Sequence, residues 1–158
     1  MKTVQILITI IALFLLQFLF SSVLNILGIF PDIFLIFLAY LSLRVRPFWL
    51  IWIAFALGML QDLAFNTALI GLSAVTKILF AWLLIKLSEY ERSLNEIIYF
   101  SLVSILIAVF INLYDVLYFF GLAQEGLRYF TEYSMPRFLY TFVLFAVAHY
   151  FYPLVNRH

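Results

Sequence analysis

Five ionisable side chains interrupt otherwise apolar sequence: the carboxylates Asp32, Asp62 and Asp115, and the cations Lys77 and Arg137. Two carboxylates held together could share a proton and act as an aspartyl dyad. Set near a Lys and an Arg, the same acids would instead form ion pairs, and three acids with two cations favour pairing. The two histidines, His149 and His158, stand nine positions apart with no acidic neighbour at metal-ligand spacing, so His149 reads as a residue of a helix end at the membrane interface. A serine hydrolase would need Ser and His at one depth, and Ser21, Ser22 and Ser73 do not share the depth expected of His149. The chain has no G-x-S-x-G elbow, no H-E-x-x-H pair and no phosphate-cradling Gly-rich loop. It also has no cysteine, which excludes thiolate nucleophiles, disulfides and cysteine metal sites. These absences predict a protein that is not an enzyme and takes no cofactor.

The elements that must position these groups are membrane helices. Of 158 residues, 67% are hydrophobic and 11% charged, against roughly 25% charged in a soluble domain. The formal net charge is +1 with no basic stripe, so no nucleic-acid partner is indicated. Breaking the chain at charges, Gly and Pro predicts six spans, at 3–28, 31–44, 47–65, 69–87, 94–120 and 132–153. The first apolar run is much longer than the ~7–15 residue core of a secretory signal and reads as a retained span. The second is short for a crossing, which takes ~17–25 residues. Basic residues fall at alternate connections: Lys2, then Arg44 and Arg46, then Lys86 and Arg92, then Arg157. The positive-inside rule then makes the second segment a crossing and places both termini in the cytoplasm. Arg128 and Arg137 are on the outer side, offset by Glu125 and Glu132. No linker or internal repeat divides the chain, which predicts one membrane domain over 1–158.

With that topology the polar residues of the spans share a depth. Gln17, Ser21 and Asn25, then Gln61 and Asp62, Ser73 and Lys77, Asn112 and Asp115, and Arg137 all fall in the outer half, where Asp32 opens the second span. The expectation is an intramembrane polar cluster containing Asn25, Gln61, Ser73, Lys77, Asn112, Asp115 and Arg137. Such groups cost ~2.5–3.5 kcal/mol each on insertion scales. Either they pair and fix helix register, or they line a ligand cavity or a partner-sensing site. Trp49, Trp52, Trp82, Tyr90, Tyr150 and Tyr152 read as anchors at the cytoplasmic interface, and Tyr114, Tyr118, Tyr129 and Tyr133 as anchors at the outer one.

Several short motifs resemble one family. Pro31-Asp32 opens a short apolar span ending in Tyr40-Leu41-Ser42-Leu43-Arg44. Gly58-Met59-Leu60-Gln61-Asp62-Leu63 is followed, after a polar turn at Asn66-Thr67, by Leu69-Ile70-Gly71-Leu72-Ser73. This is similar to the G-x-x-x-D and L-x-G-L elements of the rod shape-determining MreD family, with the closest matching over 28–80. The turn at Phe65-Asn66-Thr67-Ala68 holds less Gly and Ser than that family's pattern. The resemblance implies a six-helix bundle like the substrate-binding subunits of energy-coupling-factor transporters, in the bacterial cytoplasmic membrane. It implies partnership with MreC and, indirectly, with MreB, RodA and a class B penicillin-binding protein, and leaves room for a homodimer and for contacts with membrane lipid. It carries over Pro31, Asp32, Gly58, Asp62 and Gly71 as motif positions, with Pro31 in a helix's first turn. The function implied is a non-enzymatic scaffold of cell-wall elongation. The alternative is a substrate-binding membrane subunit of a vitamin or metal-ion transporter, since an outward-displaced polar cluster could be a solute pocket.

Overall fold

A computed structural model describes residue 12 and residues 31–64, 70–91, 93–120, 132 and 134–154. Apart from Ala12, the first predicted span lies outside the described residues, and so do Asn25 and the turn at 65–69. Among the described residues the chain is all-helical: α1 (Ile33–Ser42), α2 (Pro47–Ala64), α3 (Leu72–Ser88), α4 (Glu96–Phe120) and α5 (Met135–Phe151), with no strand.

α1 is the core of the bundle. It touches each of the other four helices, and eight of its ten residues are buried, among them Phe34, Leu35, Leu38 and Leu41. A helix that is apolar on every side has to be surrounded. Its ten residues reach only about 15 Å at 1.5 Å per residue, half of the ~30 Å hydrocarbon core. The segment expected to be helical over 31–44 therefore begins two residues late and ends two early. Pro31 stands ahead of the cap rather than in the first turn, because Asp32 is the N-cap and its Oδ1 accepts from the Leu35 N–H at 3.3 Å. An Asp in this position satisfies one of the N–H groups that a helix start leaves open.

α2 and the Glu96–Tyr118 stretch of α4 are long and apolar enough to cross a membrane. α4 runs for 25 residues, about 37 Å, and would have to tilt in a bilayer. Around α1 the core is aromatic and aliphatic: Phe80 meets Phe110 edge-on with centroids 5.3 Å apart, and Phe100 stacks on Phe145 at 4.9 Å.

The α2–α3 hairpin depends on two glycines for different reasons. At Gly58 the constraint is space, since an added Cβ would fall onto the backbone of Ala74 and within 2.7 Å of the Ser73 carbonyl carbon. At Gly71 it is conformation: φ is +96°, with nothing within 4 Å of the place a Cβ would take. Left-handed backbone of this kind disfavours a side chain even in open space.

Candidate functional site, a buried ion-pair chain

α1, α3 and α5 begin, and α2 and α4 end, at one end of the bundle. Short connections and alternating direction therefore bring together groups that are far apart in sequence. Asp32, Gln61, Asp62, Ser73, Lys77, Asp115 and Ser134 are all buried there, and Arg137 keeps only 13% of its side chain exposed.

The charges form a continuous chain. Lys77 Nζ lies 3.3 Å from Asp32 Oδ2 and donates to Gln61 Oε1. Arg137 Nη2 reaches the same Asp32 oxygen at 3.7 Å, and its Nη1 donates to Asp115 Oδ1 at 3.1 Å. The second Asp115 oxygen accepts from Ser134 Oγ at 2.7 Å. The Asp32 N–H donates to Thr141 Oγ1 at 3.1 Å, and that hydroxyl donates to the Arg137 carbonyl at 2.8 Å. Asp32 thus ties α1 to both α3 and α5 through its side chain, and to α5 again through its backbone. Two rings cover the cations: Phe34 lies 5.9 Å from the Lys77 ammonium and Tyr114 lies 5.4 Å from the Arg137 guanidinium. Charges removed from water cost several kcal/mol each unless paired and hydrogen-bonded, and here the partners supply both.

Asp62 departs from the expected pairing with Lys77 or Arg137. Its carboxylate accepts from the backbone N–H of Gly71 at 2.8 Å and from that of Ser73 at 3.2 and 3.3 Å. Gly71, the N-cap of α3, has no side chain to cap the helix, so an acid from the preceding helix takes that place and also faces the positive end of the α3 dipole. The expected effect of Asp62→Ala is therefore on the α2–α3 turn. It leaves two backbone donors without their acceptor, at about 1–3 kcal/mol. Asp62→Asn, which keeps one acceptor oxygen, should lose less. Thermal unfolding in detergent followed by circular dichroism would rank the two, and equal stability of Asp62→Ala and the parent would contradict this role.

Asn112 does not join the ion pairs. Its Nδ2 donates to the Ala108 carbonyl at 2.8 Å. The residue lines a groove of about 570 Å³ between α4 and α5, along with Phe100, Ser104, Ala108, Phe138 and Phe142. No ionisable side chain lines this groove, and among the described residues no three His, Cys, Asp or Glu side chains are placed to hold a metal ion. At the opposite end of the bundle, His149 has the acidic neighbour that spacing did not suggest. Its Nε2 lies 3.5 Å from Glu96 Oε1, its Nδ1 accepts from the Leu154 N–H at 3.2 Å, and its ring stacks on Phe100 at 4.5 Å.

Thr141 lies four after Arg137 on the same polar stripe of the last span. Ser134 is the site residue that sequence reasoning misses, although it lies three before Arg137 and so shares its helix face. Glu96 and His149 lie 53 positions apart, and nothing local links them.

The chain has no match among curated proteins or among solved structures. A family model does match, that of the rod shape-determining protein MreD, over residues 1–157. With an all-helical bundle, helices apolar enough for a membrane and a match over nearly its whole length, the chain belongs to the MreD family of rod shape-determining membrane proteins.

Proposed function

We propose that the protein is a non-enzymatic scaffold of the bacterial cell-elongation complex, a single six-span domain of the cytoplasmic membrane with both termini inside. In this reading it binds MreC and through it serves MreB, RodA and a class B penicillin-binding protein, supporting peptidoglycan synthesis along the rod. The observation that carries the reading, beyond the family, is the matching of the buried charges. Lys77 is met by Asp32, and Asp115 by Arg137 and Ser134. A solute-capture subunit needs a polar group left open toward a cavity, whereas a scaffold needs its helices held in one arrangement. The groove between α4 and α5 is lined mainly by apolar and small side chains, with Asn112 its one amide and no ionisable group, which supports the scaffold over a transporter of charged solutes.

Cell shape on depletion tests this reading. Rods are expected to swell into spheres whether or not vitamins are supplied. Rods that keep their form but need a nutrient would overturn the scaffold in favour of solute capture. Orientation is tested separately, because the chain has no native cysteine. Ile70 is 69% exposed at the end holding the ion pairs, and Ser93 is exposed at the other. In spheroplasts a membrane-impermeant maleimide is expected to label I70C and to spare S93C until the membrane is opened. The reverse pattern would invert the proposed topology.

A further inference from the structure

Five Lys and Arg side chains lie among the described residues, and three have acidic partners: Lys77 with Asp32, Arg137 with Asp115, and Lys86 with Glu89 at 3.2 Å. The other two, Arg44 and Arg46, are exposed and stand two positions apart in the turn between α1 and α2. No carboxylate among the described residues pairs with either. The Arg44 guanidinium is held by its face over the Tyr152 ring at 4.8 Å, a contact that leaves its N–H edges free to donate.

Directly after this turn comes an exposed aromatic cluster. Phe48, Trp49 and Trp52 are 65%, 58% and 54% exposed. Phe48 packs edge-on against both tryptophans, with centroids 5.9 and 6.2 Å apart. Trp is enriched where headgroups meet hydrocarbon, because its ring is apolar and its N–H polar. Two guanidiniums with no acidic partner among the described residues, followed two, three and six positions after Arg46 by such rings, reproduce, in order of depth, the parts of an anionic lipid: phosphate, then glycerol, then acyl chain.

We propose that the α1–α2 turn is a binding site for an anionic phospholipid, with Arg44 and Arg46 donating to its phosphate and Phe48, Trp49 and Trp52 holding the upper part of its acyl chains. Arginine suits the task because its planar fork meets phosphate oxygens in pairs. Lys86 lies outside the site because its charge is matched by Glu89. The site rests on the proposed passage of α2 into the membrane and is independent of the partnership with MreC.

Two of the three tryptophans in the chain belong to the site, so brominated lipids, which quench tryptophan fluorescence on contact, report on it directly. The full-length protein would carry Trp82→Phe, leaving Trp49 and Trp52 as the only emitters, and be placed in phosphatidylcholine vesicles. Quenching by brominated phosphatidylglycerol would then be compared with quenching by brominated phosphatidylcholine. The parent is expected to prefer the anionic lipid. R44Q/R46Q should lose that preference by up to about thirtyfold, two charges at about 1 kcal/mol each. R44K/R46K should keep most of it, and K86Q all of it.

No preference in the parent, or an unchanged preference in R44Q/R46Q, would overturn the proposal. So would abolition of the preference by added inorganic phosphate at constant ionic strength, which would mark a soluble-anion site. Failure of the cell-shape test leaves these quenching ratios untouched, so the two readings can fail separately.

Discussion

Asp32→Ala is expected to be the most damaging single substitution among the described residues. It removes the N-cap of α1, at about 1 kcal/mol, and the carboxylate shared by Lys77 and Arg137. Arg137 keeps Asp115, but Lys77 is left with Gln61, the ring of Phe34 and the more distant attraction of Asp62, in a site where its side chain is 2% exposed. Breaking a buried pair from one side costs roughly 3–5 kcal/mol, because the remaining charge stays in low dielectric. Asp32→Asn separates the two contributions, since Asn caps a helix as well as Asp does but carries no charge. Asp32→Asn should therefore lose the larger share, and Asp32→Ala about 1 kcal/mol more. Folded yield and thermal unfolding in detergent would measure both. An Asp32→Asn protein as stable as the parent would show that Lys77 does not depend on that charge.

The second large effect is expected at Gly58. A methyl group there collides with the Ala74 and Ser73 backbone, and backbone in the middle of a helical hairpin cannot rotate aside as a side chain can. Overpacking of a core costs typically 1–3 kcal/mol, and Gly58→Ala belongs at or above the upper end. Parting α2 from α3 also carries Asp62, one turn further on, away from the Gly71 and Ser73 N–H groups it holds. Gly71→Ala meets open space and loses about 1–2 kcal/mol through its left-handed backbone alone. The order of melting temperatures is thus expected to be parent, then Gly71→Ala, then Gly58→Ala. Gly58→Ala melting above Gly71→Ala would contradict the close apposition of α2 and α3 at this glycine.

The gathering of Asp32, Asp62, Lys77, Asp115 and Arg137 at one end was legible because short connections force successive helices to alternate in direction. A charge early in one helix and late in the next must then lie at one level. Partner choice was not legible. Depth alone cannot distinguish an Asp62 paired with Lys77 from one that caps α3, because that outcome depends on where the chain between them turns and which N–H groups it leaves open. The motif position Gly71 pointed to the turn, but its lack of a capping side chain was the decisive fact. The short reach of α1 is half visible in the sequence: the apolar run is brief, but its pattern does not show that Pro31 and Asp32 stand ahead of the helix rather than inside it. The Glu96–His149 contact needed tertiary structure, since only the packing of α4 against α5 brings those two side chains together.

If the buried charges serve a shape-determining protein by holding its helices in place, neutralising both members of one pair should leave fold and function standing. D32N/K77M removes both members of one pair, keeps the α1 cap and leaves the Arg137–Asp115 contact intact. Replacing both partners of a buried pair is often neutral, whereas removing one is not. In cells depleted of the native protein, D32N alone should fold poorly and give rounded cells, and D32N/K77M should restore both folded protein and rods. A double variant that folds to the parent's level while the cells still round up would overturn this structural role, because the charges would then be needed for the function itself and not for the fold that supports it.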